Sequence, residues 1–249
     1  MSFGEVFNDA AVARLYGLRP PYPDAVFEIL RRRLVAPRII LDAGAGTGAL
    51  ARGMVAFAER VDAVEPSAAM IAEARHAEGG DGRRIRWIVG RAEDAPFDPP
   101  YGLIMCGTSL HWMDLQVVLP RFREALAAGA FLAVAHNENV HGAYADEVWA
   151  VTSRYAAEPY RDNTARTIEA VHASGVFTIE MEERTEPVPF EQSVDEFIER
   201  LHSSSTLTRA QLGRRAQKFD EEIRAVFARH QIERLRYAVI GVVTWAAPR

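Results

Sequence analysis

The segment that most restricts the fold runs from Ile39 to Gly48. Three consecutive aliphatic residues, Ile39-Ile40-Leu41, lead directly into Asp42-Ala43-Gly44-Ala45-Gly46-Thr47-Gly48. A short, continuous apolar run is the pattern of a strand buried on both faces of a parallel sheet. Glycines at alternate positions permit positive φ and let the backbone approach a ligand closely. A glycine-rich turn that ends a strand and opens a helix puts backbone amides at the edge of the sheet. Open α/β folds bind their ligands there.

Strand and helix signals alternate on both sides of this turn. Upstream, Val26, Phe27, Ile29 and Leu30 recur at helical spacing between Tyr22 and Arg33, and Pro37 breaks the pattern. Downstream, a helix over Ala49–Glu59 leads to a strand at Val61–Val64 and a helix over Ser67–Ala77, with Ser67 as its N-cap. Strands follow at Ile85–Val89, Leu103–Cys106 and Ala130–Ala135, the last two separated by a helix over Leu115–Leu126. Beyond His136 the pattern loosens. Helices are expected over Glu147–Ala157, Thr164–Ala173, Ser193–Ser203 and Thr208–His230, and strands at Val176–Glu182 and Leu235–Trp245. The expected fold class is α/β, a doubly wound, mostly parallel, seven-stranded sheet with a helical cap from C-terminal insertions. One domain spans 1–249, with its core at 37–137, 164–185 and 232–247 and the cap at 138–160 and 193–230.

Charge and composition narrow the partners. The net charge of −5 and a pI near 5.8 disfavour a nucleic-acid substrate, whose binding draws on clustered cations. Arg31-Arg32-Arg33 and Arg83-Arg84-Ile85-Arg86 are dense basic runs beside predicted core elements and read as solvated faces. No stretch reaches the ~20 apolar residues of a membrane span, and the N-terminus lacks the pattern of a secretory signal. Cys106 is the only cysteine, which suits a reducing cytoplasm. No membrane partner is expected, and oligomeric state is left open.

Two acidic residues point to the ligand. A carboxylate at Asp42, just ahead of the loop, would meet a dinucleotide's diphosphate with like charge. It suits a cationic ligand such as S-adenosylmethionine (SAM), which carries a sulfonium and an ammonium and no phosphate. Glu65 ends the second strand, 23 residues after Asp42. That is close to the ~20-residue offset at which an acidic side chain meets ribose hydroxyls in dinucleotide folds.

Ile40–Gly48 resembles motif I of class I SAM-dependent methyltransferases, and Val61–Met70 resembles their second motif. Gly90-Arg91-Ala92-Glu93-Asp94-Ala95-Pro96-Phe97 is similar to the adenine-bordering segment, with Arg91 where the family often has an acidic residue. Thr108-Ser109-Leu110-His111-Trp112 and Tyr16–Pro23 resemble segments of small-molecule methyltransferases of the ubiquinone-biosynthesis and trans-aconitate type. The match spans roughly residues 7 to 136 and implies a Rossmann-like sheet, SAM as cofactor and a small-molecule acceptor. On that resemblance, Gly44, Gly46 and Gly48 face the methionine and ribose of SAM, Glu65 holds the ribose beside Pro66, and Met70 packs on adenine. Ala92 and Glu93 border the adenine, and Cys106 and Gly107 offer carbonyls to the ammonium. Tyr16 and Arg19 close the pocket, Arg19 as a partner for the SAM carboxylate.

His111 is the candidate general base, since imidazole titrates near neutral pH; lining of the SAM pocket is the other reading of His111 and Trp112. Trp112, His136, His141 and Tyr144 are candidate substrate contacts. Tyr144, Trp149, Tyr155 and Tyr160 form an aromatic stretch in the cap. His136 and His141 stand five apart in an expected loop, without the i, i+4 geometry of helical zinc pairs, so no metal is expected. O-methylation of a small molecule is favoured. A SAM-binding protein without transferase activity and a nicotinamide-dependent oxidoreductase, which would carry its third glycine where Ala49 stands, remain as alternatives.

Overall fold

The computed structural model describes residues 5–156 and 163–249. Tyr160, expected among the cap aromatics, lies outside them. The elements begin with α1 (Ala10–Leu15), α2 (Asp24–Arg32), β1 (Ile39–Ala43), α3 (Ala49–Met54), β2 (Arg60–Glu65) and α4 (Ala68–His76). β3 (Ile85–Val89), β4 (Leu103–Gly107), α5 (Leu115–Ala125) and β5 (Leu132–Val140) follow. Next come α6 (Ala145–Tyr155), α7 (Asn163–Ala173), β6 (Phe177–Arg184) and β7 (Val188–Ser193). α8 (Val194–Leu201), α9 (Arg209–Leu212), α10 (Ala216–Arg229) and β8 (Arg234–Pro248) complete the chain.

The chain divides into two compact units. The larger takes Pro21–Glu138, Asp162–Glu186 and Ile240–Arg249; the smaller takes Met1–Pro20, Asn139–Arg161 and Pro187–Val239. In the larger unit the strand order is β3-β2-β1-β4-β5, all parallel, and β6 pairs antiparallel with residues 242–248 of β8. Both faces of β1 are covered. Leu41 and Ala43 pack with Ile104, Cys106, Phe122 and Leu132, while Ile40 packs with Leu30, Val61, Leu103 and Met105. That is why the run Ile39–Leu41 carries no polar alternation. Burying each such side chain stabilises the fold by roughly 1.5–3 kcal/mol.

The smaller unit has its own apolar core, built from Phe197, Ile198, Phe219, Ile223 and Phe227 of α8 and α10, with Val148 and Val151 of α6. β7 pairs antiparallel with residues 234–239 of β8, and Leu235, Tyr237 and Val239 alternate into that core. The sheet therefore carries eight strands where seven were expected, and the smaller unit contains a β-ribbon and the N-terminal helix as well as cap helices. The helix expected over Thr208–His230 is broken at Gly213, whose φ of +53° turns the chain between α9 and α10. β5 runs on to Val140, so His136 and Glu138 are strand residues and not part of a loop.

Candidate active site

The glycine loop is fastened to the end of β2. The amides of Gly44 and Ala45 donate to the Val64 carbonyl at 2.9 and 3.0 Å. The Glu65 carboxylate accepts from the Gly46 amide through Oε2 and from the Ser67 amide through Oε1, both at 2.8 Å. Ser67 caps α4 as expected, its Oγ accepting from the Met70 amide at 3.1 Å. Asp42, 1% exposed, accepts from the Ala51 amide of α3 at 3.0 Å.

The glycines differ in what they make room for. A Cβ on Gly44 would lie 2.5 Å from the Cβ of Ser109, and one on Gly48 would lie 2.6 Å from the Trp87 ring. At Gly46, with φ of +56°, a Cβ would meet nothing within 4 Å. Gly44 and Gly48 are therefore required by packing inside the protein. Gly46 lies beneath open space, which is the arrangement a ligand cradle needs.

The electrostatics of this cradle are unfavourable without a cation. Burial lifts the Asp42 carboxyl from its ordinary range to about 7; the Ala51 amide opposes the rise and the nearby Glu65 adds to it. Burial also lifts Glu65, against the pull of the Ser67 and Gly46 amides. Among the described residues no cationic side chain offsets either carboxyl. A ligand with a positive centre would favour the ionised forms, so the donor set fits SAM and conflicts with a diphosphate.

β4 contributes the facing wall. Cys106 is fully buried, and burial, with the Asp42 charge second, pushes its thiol up, against a hydrogen bond with Ser109. A Cβ on Gly107 would lie 2.8 Å from Leu50 and 3.0 Å from the Tyr22 hydroxyl. Thr108 follows with φ of +51°, a strained backbone for a β-branched residue. Ser109 then turns inward, its Oγ donating to the Ala43 carbonyl at 2.6 Å. This bond ties the segment carrying His111 to the end of β1. Ser109 sits inside the Thr108–Trp112 motif, but a contact across 66 residues leaves no local signal.

His111 and His136 line one small cavity together with Thr108, Ser109, Thr164 and Thr167. Burial holds the His111 imidazole below its ordinary value, so it is neutral at neutral pH. Its ring packs 4.7 Å from that of Trp112, which is 38% exposed at the surface beside it. Thr164 and Thr167, one turn apart on α7, were not singled out in the sequence, because nothing local distinguishes them from a helix's polar face.

Other expected site residues fall as follows. Met70 is buried in α4 and Pro66 is exposed ahead of it. Ala92 is buried, its carbonyl accepting from Arg121 at 2.7 Å. Glu93 accepts from Arg91 and from the Asp114 amide at 2.8 and 2.9 Å. Arg91 thus pairs with the acidic residue two positions on. In the smaller unit, the Arg19 guanidinium stacks 3.9 Å over the Tyr16 ring and donates to Ser203 Oγ and O at 3.0 and 2.9 Å.

His141 and Tyr144 correct an expectation. They do not stand at a mouth: Tyr144 is 4% exposed in the aromatic core of the smaller unit, against Phe227, and its hydroxyl lies 3.2 Å from His141 Nδ1. His141 packs on Tyr237 at 4.5 Å, and burial, helped by Arg200, pushes its imidazole down to about 4. Tyr155 joins the same core, as aromatic residues at helical spacing commonly do. Among the described residues no His, Cys, Asp and Glu group could hold a metal ion, and no helix is long and apolar enough to cross a membrane.

Residues 40–129 match the family described as Methyltransferase domain. No curated protein sequence matches the chain. Among solved structures it is similar to a proposed type II methyltransferase from Anaeromyxobacter dehalogenans, at 24% identity and a TM-score of 0.62 over 92% of this chain and 97% of that one. It is also similar to a proposed antibiotic-biosynthesis methyltransferase from Anabaena variabilis, at 14% identity and a TM-score of 0.58 over 91% and 98%. The [4+2]-cyclase SpnF matches at 16% identity and a TM-score of 0.55 over 90% and 81%. At these identities the likeness establishes the fold alone. The matched segment holds β1 to β4, the glycine loop, Glu65 and His111, so the part of the chain that is similar to a methyltransferase domain is the part that builds the candidate site.

Proposed function

We propose that this domain transfers the methyl group of SAM to a hydroxyl of a small-molecule acceptor. The observation that carries the reading is the open cradle over Gly46 beside two buried carboxyls that no cationic side chain among the described residues offsets. When bound, SAM supplies an activated methyl on a sulfonium leaving group. Glu65, Gly46 and Asp42 would hold the cofactor, with Cys106 and Gly107 on the facing strand. The protein's remaining tasks are to align the acceptor oxygen and exclude water.

His111 is the residue proposed to take the acceptor's proton. It follows β4, it is tied to β1 through Ser109, and its neutral imidazole is a competent base at neutral pH. Trp112 beside it would border the acceptor. A hydroxyl acceptor needs such a base, whereas a carboxylate acceptor would not.

Calorimetry with SAM, S-adenosylhomocysteine and NAD tests the reading. Binding of both SAM and S-adenosylhomocysteine, with NAD at least ~100-fold weaker, is expected. Tight NAD binding without SAM binding would overturn it and restore the nicotinamide alternative.

A further inference from the structure

The segment after β3 starts at the candidate site and is fastened from a distance. Val89 is the register partner of Glu65, and the Gly90 amide donates to the Glu65 carbonyl at 3.2 Å. The chain then folds back on itself, the Asp94 and Ala95 amides both donating to the Arg91 carbonyl, at 3.2 and 2.8 Å. Ala92 and Ala95 are buried in the apolar cluster that also holds Leu41 and Ala43 of β1.

The helix α5 grips this segment at two points. The half-buried Arg121 donates through Nη1 to the Ala92 carbonyl and through Nη2 to the Ala95 carbonyl, both at 2.7 Å. Its guanidinium carbon lies 4.4 Å from the centre of the Phe97 ring, which packs in turn 6.0 Å from Phe122 and 6.2 Å from Tyr101. Two turns earlier, the amide of Asp114, the N-cap of α5, donates to Glu93 Oε1 at 2.9 Å. Both terminal nitrogens of Arg121 thus go to main-chain carbonyls. A rigid, planar guanidinium holds two acceptors at a fixed separation, which a single ammonium does not.

We infer that Arg121 is a positioning residue for the cofactor's base: it presets the main chain of Ala92–Ala95 as the edge against which adenine is read. This rests on the proposed function and extends it to the choice of base. The sulfonium and ammonium belong beside the buried Asp42 carboxyl and the sugar at Glu65, so the base extends from Glu65 towards the end of β3. The surface it meets there is largely main chain. Gly90, Ala92 and Ala95 carry no polar side-chain atoms, and Arg91 and Glu93 are paired with each other at 2.8 Å. A fixed main-chain edge rejects a base whose donors and acceptors are interchanged, because polar groups are left unpaired. A loose edge shifts to suit either base. Arg121 acts through the two carbonyls it holds and not by contact with the cofactor.

The test compares S-adenosylhomocysteine with S-inosylhomocysteine by calorimetry. In the second ligand a carbonyl replaces the amino group at position 6 of the base, and N1 carries a proton. The unsubstituted protein is expected to prefer S-adenosylhomocysteine by at least ~10-fold, and Arg121→Met to shrink that preference by at least ~3-fold. Arg121→Lys keeps the charge and reaches one carbonyl, so it serves as the second variant should Arg121→Met fail to fold, with a fall of at least ~2-fold expected. A merely structural loss would weaken both ligands alike and leave the preference where it was. A smaller fall in the folded variant would therefore overturn the inference, however far both affinities drop. An unsubstituted protein that binds both ligands but prefers S-adenosylhomocysteine by less than ~10-fold would overturn it as well. Failure of the unsubstituted protein to bind S-adenosylhomocysteine would instead strike the proposed function.

Discussion

Three surface carboxylates of the smaller unit and two buried carboxyls of the larger stand in opposite surroundings. In the smaller unit Glu147 pairs with Arg229 and His230, Asp195 with Arg224, and Glu191 with Arg234 and Arg236, all near the surface. In the larger unit Asp42 and Glu65 lie inside, fed only by backbone amides, and burial raises both. Exposed pairs are screened and contribute little either way. Buried, uncompensated carboxyls cost folding free energy, and such groups concentrate where a ligand supplies the missing charge. The electrostatic cost therefore marks the functional region more clearly than the count of charges does.

The largest expected effect is at Gly46. Gly46→Val should weaken SAM binding by more than ~100-fold while the chain still folds, because its Cβ would project into the open cradle with nothing within 4 Å. The positive φ adds roughly 1–2 kcal/mol of strain. Calorimetry paired with thermal melting separates the two effects; normal binding would show that the cradle is elsewhere.

Asp42→Asn sharpens the contrast through stability. A carboxyl near 7 when folded and 3.8 when unfolded binds more protons folded than unfolded between those values. Stability of the free protein therefore falls as pH rises from about 4 to 7, by up to ~4 kcal/mol for three pKa units. The amide variant lacks this loss and should melt well above the parent at pH 8, and much closer to it at pH 4. Equal melting temperatures at pH 8 would mean that burial does not burden Asp42.

Glu65→Ala is next. It should cost ~1.5–3 kcal/mol of SAM affinity, the range for hydrogen bonds to a charged group, and an unchanged dissociation constant in a folded variant would remove Glu65 from the site. The smallest effect belongs to the smaller unit's surface: Asp195→Ala should change stability by less than ~1 kcal/mol in denaturant titration. A larger loss would end the contrast between the units.

The same division governs how much could be read from the sequence. The apolar run at Ile39–Leu41, the alternate glycines and Glu65 expose β1, its loop and the end of β2, because fully covered strands and positive-φ turns leave composition-level traces. Val188–Ser193 was not expected as a strand, since it is short, interrupted by Pro189 and paired only with β8. The break at Gly213 was hidden inside a helical periodicity that continues on both sides. At the site, Ser109 against Ala43 and the α7 threonines beside His111 join residues far apart in the chain, and Thr108 adopts a backbone its β-branched side chain argues against. His141 and Tyr144 misled because a polar atom on an aromatic-rich stretch reads the same whether it meets a ligand or a neighbouring helix.

Proton linkage of SAM binding tests most directly whether the buried carboxyls await a cation. Binding would hold Asp42 ionised, so the free protein must release the proton it carries near pH 7. Calorimetry in buffers of different ionisation enthalpy should show about half a proton released at pH 7, with affinity rising about tenfold from pH 6 to pH 8 and levelling above it. Asp42→Asn should remove both the release and the pH dependence. SAM binding with no proton release and equal affinity at pH 6 and 8 would contradict the assignment of Asp42 to the cationic cofactor.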